Sequence, residues 1–121
     1  MLVHHLLVVN ARLNKPPTDP VYITDWKKNL VEAIGMKILM GPYAVYSEME
    51  GNRGLTAVTI IETSHIALHV WDEEELATLR LDVYSCAEFN IETILAAINE
   101  FEPTHIDYKF LDRTGDFILA S

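Results

Sequence analysis

Across residues 78–84 the apolar side chains Leu79, Leu81 and Val83 alternate with Thr78, Arg80 and Asp82, the period of two that sends successive side chains to opposite faces of a β-strand. A strand written this way buries one face and wets the other, so the chain has to build a sheet and cover one side of it. Residues 3–9, 36–40, 43–46, 55–61, 66–71 and 105–111 supply further runs rich in strand formers, and 117–120 is a short last candidate.

The cover comes from two segments with helical spacing. Trp26, Leu30 and Ile34 recur on one side, with Val31 and Ala33 beside them; Thr24 stands as a cap and Gly35 as a terminator. Ile91, Ile94, Leu95, Ile98 and Phe101 form the second set, after Asn90 as a cap and before Pro103. Lys15-Pro16-Pro17 and Asp19-Pro20 forbid regular structure and predict a loop ahead of the first helix. Residues 48–54, containing Gly51-Asn52, predict a turn. Strand, helix, several strands, helix, then one or two strands predicts an α+β fold: a two-layer sandwich of a mostly antiparallel sheet with two helices on one face.

Composition sets the outer bounds. With 121 residues, 50% of them hydrophobic, the chain can bury one core and is short for two ordinary domains, so a single domain over 1–121 is expected. The longest apolar run, 57–61 with its neighbours, is interrupted by Thr59 and Glu62 and falls short of the ~20 residues of a membrane span. No signal-peptide pattern follows Met1, which makes the cytoplasm the expected location. A net charge of −9 repels phosphate backbones and anionic membrane surfaces, arguing against nucleic-acid or membrane partners, and it tolerates a cationic ligand. The single cysteine, Cys86, has no internal disulfide partner and fits a reducing compartment.

Chemistry-bearing residues concentrate in 61–73 and 81–86. Ser64 and Cys86 are possible nucleophiles, and His65 and His69, four apart on a strand, share a face. Two histidines invite a metal, yet no Cys or His nearby supplies further ligands, and His4 and His5 point to opposite faces; no metal is expected. On spacing alone Cys86 and Trp71 read as packing residues and 72–75 as a solvated loop.

The run Ser64-His65-Ile66-Ala67-Leu68-His69-Val70-Trp71-Asp72-Glu73 resembles a segment of the small bacterial-type S-adenosylmethionine decarboxylase proenzymes. That segment reads serine, histidine, three strand residues, histidine, one residue, tryptophan, proline, glutamate. Asp82-Val83-Tyr84-Ser85-Cys86 resembles the family's Asp-Val-aromatic-Thr-Cys element, in the same order and at nearly the same separation. A looser likeness runs from His5 through the second helix.

The resemblance implies self-cleavage between Thr63 and Ser64, turning Ser64 into a pyruvoyl cofactor. Such a ketone forms a Schiff base with the amine of the substrate, S-adenosylmethionine, and draws off the electrons released as carbon dioxide leaves, supplying the aminopropyl donor for spermidine and other polyamines. By the same resemblance His69 assists processing, Thr56 stands where the family has a processing serine, and Cys86 returns a proton to the substrate carbon. Trp71 and Tyr46 correspond to aromatic residues that sandwich the adenine, and Glu73 to the carboxylate that binds the ribose hydroxyls. A homodimer with its sites at the subunit interface is implied as well.

The sequence departs from the family pattern at named positions. Thr63 stands where glutamate normally precedes the cleaved serine, and Glu62, displaced by one, is turned to the opposite face. Asp72 replaces the proline, and Ala87 the glycine after the cysteine. These differences keep two other readings open: a pyruvoyl decarboxylase of arginine or ornithine, and an unprocessed, non-catalytic S-adenosylmethionine-binding or regulatory homologue that pairs with an active relative.

Overall fold

The computed structural model describes residues 2–116 and 118–120. In chain order the elements are β1 (His5–Leu13), α1 (Pro20–Ala33), β2 (Ile38–Ser47), β3 (Gly54–Ile61), β4 (Ser64–Trp71) and β5 (Ala77–Ser85). Then come α2 (Ile91–Ile98), a single 3-10 turn (Asn99–Phe101), β6 (Pro103–Asp112) and β7 (Ile118–Leu119). The strands form one sheet in the order β2-β3-β4-β5-β1-β6-β7, and each pairing is antiparallel. The α+β architecture expected from the sequence is present.

Register turns the alternation seen in single strands into one apolar surface. Leu81 of β5 lies opposite Val9 of β1 on one side and Leu68 of β4 on the other, and Leu79 opposite Ala11 and Val70. These residues are all buried. Ile23, Trp26, Leu30 and Val31 of α1 pack over this surface, joined by Ile94 and Ile98 of α2 and by Phe101. Each large aliphatic side chain buried there contributes about 1.5–3 kcal/mol. Trp26 ties the helices together: its ring lies 5.1 Å from that of Phe101, and its Nε1–H donates to the Ala97 carbonyl at 3.2 Å. On the opposite face of the sheet Tyr43, Val45, Val58 and Ile60 remain exposed.

Two local readings differ from the sequence expectation. α1 starts at Pro20 rather than after Thr24, with Asp19 as its cap: the Asp19 carboxylate accepts the Val21 N–H at 2.9 Å. Proline is welcome at the first helical position, because its missing N–H would have no intrahelical partner there. Residues 36–46, read as two short strands, contain one strand, β2, whose register against β3 shifts around Met40 and Tyr43 to absorb Gly41-Pro42. β2 is an edge strand, and an edge tolerates a proline that cannot donate to a ladder. The short last strand is Ile118–Leu119, paired with Asp112 and Leu111; Phe117, part of that expectation, lies outside the described residues.

Other expectations hold. Gly35 ends α1 with φ +75°, its N–H reaching the Glu32 carbonyl, and Asn90 caps α2 by accepting from the Glu92 N–H at 2.9 Å. Among the described residues no helix is long and apolar enough to cross a membrane.

Candidate functional site

Strand β4 carries Ser64, His69 and Trp71, and the residues singled out from the sequence gather in two groups, one at each end of that strand. At its start the β3–β4 hairpin turns through Glu62 and Thr63, and Ser64 opens the strand with φ 150°. A non-glycine residue held at positive φ costs on the order of 1–3 kcal/mol. The register sets Ser64 opposite Ser85 of β5, and Ser85 in turn opposite His5 of β1.

The carbonyl preceding Ser64 is held from the next segment. The Cys86 backbone N–H donates to the Thr63 oxygen at 2.8 Å, the oxygen on which negative charge would develop if the Ser64 hydroxyl added to that carbonyl. The Thr63 hydroxyl donates to Met36 Sδ at 2.7 Å and lies 3.0 Å from Ser85 Oγ, which also accepts the Ala87 N–H at 3.0 Å. The turn is thereby tied both to the segment before β2 and to the segment after β5. Cys86 is a free, half-buried thiol at this end.

The other end of β4 is built differently. Thr56 and His69 face each other across β3 and β4, with Oγ1 and Nδ1 3.1 Å apart, and His69 stacks on Trp71 with ring centres 5.7 Å apart. Trp71 Nε1–H donates to Asn52 Oδ1 at 2.8 Å. Gly54 lies opposite Trp71 with φ +150°, where an added Cβ would sit 1.8 Å from the Val70 oxygen, so no larger residue fits. Arg53 locks the rim: its backbone N–H donates to Glu73 Oε1 at 2.9 Å, and its guanidinium bonds the Asp72 carboxylate at 2.8 Å and the Asp72 carbonyl at 2.7 Å. A cavity of about 390 Å³ opens here, lined by Gly51, Arg53, Trp71, Glu73, Leu76 and Thr78 among others.

The Asp72 carboxylate also accepts the Tyr46 hydroxyl at 2.8 Å. Burial, followed by that hydrogen bond and the neighbouring negative charge, pushes the Tyr46 phenol above its ordinary value. The hydrogen bond to Asp72 holds Arg53 more firmly protonated than usual. Asp72 thus organises the rim, tying β2 and the loop before β3 to the end of β4.

Thr63, Ser64 and Cys86 therefore cluster at one end, and Thr56, His69, Trp71 and Glu73 at the other. His69 is five residues and Trp71 seven residues beyond Ser64 on the same extended strand, about 16 and 23 Å at ~3.3 Å per residue. One expected pairing fails within the chain. Tyr46 lies opposite Leu55 in register and packs against the helix-covered core, whereas Trp71 alternates with buried Val70 and looks to the other face. Tyr46 and Trp71 cannot sandwich a base from one chain, because the register shift at Met40 and Tyr43 fixes which face Tyr46 takes. Sequence reading passed over Ser85, Met36, Asn52 and Arg53, which lack a spacing signal because they are reached through loops or cross-strand register.

Fold and site together define a two-layer α+β protein with a serine at a constrained hairpin corner and an aromatic and carboxylate cavity at the far end of the same strand. The family model for S-adenosylmethionine decarboxylase matches residues 6–114, and the chain belongs to that family. A Hydrogenobaculum protein named S-adenosylmethionine decarboxylase proenzyme is 37% identical over 62 residues, 50% of this chain and 45% of the relative. A Sulfurihydrogenibium protein of the same name is 36% identical over 62 residues, again 50% and 45%. The chain spans about half the length of these curated relatives. The crystal structure of the adenosylmethionine decarboxylase from Aquifex aeolicus superposes with a TM-score of 0.66 at 22% identity, covering 90% of this chain and 88% of that one, a likeness of fold.

Proposed function

We propose that the protein is a self-cleaving, pyruvoyl-dependent decarboxylase of S-adenosylmethionine that works as a homodimer. The observation that carries the cleavage step is the Cys86 N–H bonded to the Thr63 carbonyl beside a Ser64 held at φ 150°. Addition of Ser64 Oγ to that carbonyl forms a C–O bond and breaks the C–N bond, while the hydroxyl proton passes to the Ser64 nitrogen. Charge building on the Thr63 oxygen meets a donor already in place, and the strain at Ser64 is relieved as the peptide bond goes. Loss of the Ser64 α-proton then expels the Thr63 carboxylate, and water replaces the nitrogen, released as ammonia, to leave a keto group. That group supplies an electron sink for the loss of carbon dioxide from an amine-bearing substrate.

The remaining residues have roles set by place. Trp71 presents an aromatic face to the cavity, and Glu73, oriented by Arg53 N–H, offers a carboxylate oxygen to hydroxyl donors. These are surfaces for a base and a ribose, and a net charge of −9 tolerates the cationic sulfonium. Cys86 follows Ser85, the residue opposite Ser64, and in this reading it holds a proton for the substrate carbon.

Two ends ~16 Å or more apart cannot act on one bond, which supports a second copy as the source of His69, Thr56 and Trp71 for each Ser64. The exposed Tyr43, Val45, Val58 and Ile60 lie on the same face as Thr56 and His69. Isologous contact across that face, with the two-fold axis running across the strands, apposes opposite ends of the two β4 strands. Polyamine supply and a cytoplasmic location belong to the same reading, with residues 1–121 as one S-adenosylmethionine decarboxylase-like domain.

The intact mass of the purified protein after incubation at neutral pH tests it, with Ser64→Ala as control. Fragments 1–63 and 64–121, the second lacking a free amine, are expected. A wild-type chain that stays whole overturns self-cleavage and favours the binding or regulatory homologue, the reading to which Thr63 in place of glutamate points.

A further inference from the structure

Lys27 is fully buried under the sheet. It projects from α1, and its Nζ donates to two main-chain carbonyls, Ala57 at 2.9 Å and Ile66 at 2.7 Å. A carbonyl oxygen has two lone pairs, so each can serve both a strand ladder and the amine. Burial lowers the Lys27 pKa from 10.5 to about 7, and either protonation state carries the two N–H donors that these carbonyls use. A buried lysine is costly to a core, and this one spends both donors on the two strands that flank Thr63 and Ser64.

Ala57 belongs to β3 and Ile66 to β4, two residues beyond Ser64. While the chain is whole, the Glu62-Thr63 turn holds these strands together covalently. Cleavage before Ser64 leaves α1 and β3 in one fragment and β4 in the other, so that the Lys27 bond to Ile66 runs from fragment to fragment. We propose that Lys27 is a positioning residue: by bonding Ala57 on one side of the β3–β4 seam and Ile66 on the other, it holds the strand end that begins at residue 64 in register once the Thr63–Ser64 bond is cut. The inference rests on self-cleavage. It adds a role that the intact hairpin does not need.

The test compares Lys27→Met, similar in length and without donors, in two backgrounds: the cleaved protein and the uncut Ser64→Ala chain. Amide hydrogen exchange across residues 65–70 and the kcat and KM of decarboxylation are read. In cleaved protein, exchange is expected to rise at least tenfold and kcat to fall at least tenfold with KM held within twofold. In the Ser64→Ala background the same substitution is expected to raise exchange less than threefold, because the turn is still covalent. Equal increases in both backgrounds, or none in the cleaved protein, overturn the proposal and leave Lys27 a core residue. Exchange needs no turnover and so reads the role whatever amino acid is the substrate. Should Lys27→Met fail to fold, Lys27→Gln, which retains a side-chain donor, takes its place and is expected to show the same contrast at smaller amplitude. A wild-type chain that stays whole overturns self-cleavage and this role together; a cleaved wild type indifferent to residue 27 overturns this role alone.

Discussion

The two ends of β4 solve different problems with different materials. At the Ser64 end the partners are hydroxyls, a thioether and a backbone N–H, packed around one strained turn with little charge. At the Trp71 end Arg53, Asp72 and Glu73 form a charged frame around an open cavity. Under the proposed function the contrast follows chemistry. Cutting a peptide bond asks for a fixed carbonyl and one well-aimed donor, whereas binding a nucleoside-like cation asks for a face, an acceptor and room. Placing both on one extended strand keeps them apart, and the proposed homodimer is the arrangement that would bring them together.

The comparison breaks or stands first on complementation. Ser64→Ala and His69→Ala chains are each expected to stay whole alone, while mixing them as subunits of one dimer restores cleavage of the His69→Ala chain. Mass spectrometry of the mixture reads the outcome; if no fragment forms, the ends do not cooperate between copies.

The next largest effect concerns Lys27, lying between the ends on the covered face. Its pKa falls from 10.5 to about 7 on folding, so between those values the unfolded chain holds a proton that the folded chain has released. The cost of burying Lys27 is therefore fully present below about pH 7 and is relieved as pH rises toward 10.5. At about 1.4 kcal/mol per pH unit this amounts to something on the order of 4–5 kcal/mol. Denaturant unfolding of wild type and Lys27→Met at pH 6.5 and pH 10 is expected to show the difference between them moving in favour of wild type by that order. A constant difference would mean that Lys27 stays charged.

At the cavity end, Gly54→Ala drives a Cβ into the Val70 oxygen and is expected to destabilise by about 3 kcal/mol or more. Thermal unfolding of the Ser64→Ala chain carrying this change measures it free of cleavage. The smallest effect sharpens the picture of the rim. Tyr46→Phe removes the hydrogen bond to Asp72 and should cost about 1–2 kcal/mol, with cleavage unchanged. Because Tyr46 faces the helix layer, KM is expected to stay within twofold; a larger rise would place its ring in the substrate site after all.

Much of this was legible in the sequence because the signals are local. The alternation of Leu79, Leu81 and Val83 and the spacing of Trp26 with Leu30 and of Ile94 with Ile98 each lie within one element. The candidate site residues were legible for another reason: two short segments carry nearly all of them, and their order resembles a known family. Asp19-Pro20 was misread because proline's meaning depends on whether it falls before or inside the first helical turn, which one carboxylate decides by capping.

Strand and helix content, the single covered face and the short segments that hold the candidate site residues could all be read from the sequence. It took the three-dimensional arrangement to show that those residues form two groups rather than one, that Tyr46 and Trp71 lie on opposite faces, and that a buried lysine bridges β3 and β4 beside Thr63 and Ser64. The physical reason is that side-chain period is a property of one strand, whereas register, bulges and the reach of a helix side chain across two strands are properties of pairs of elements far apart in the chain.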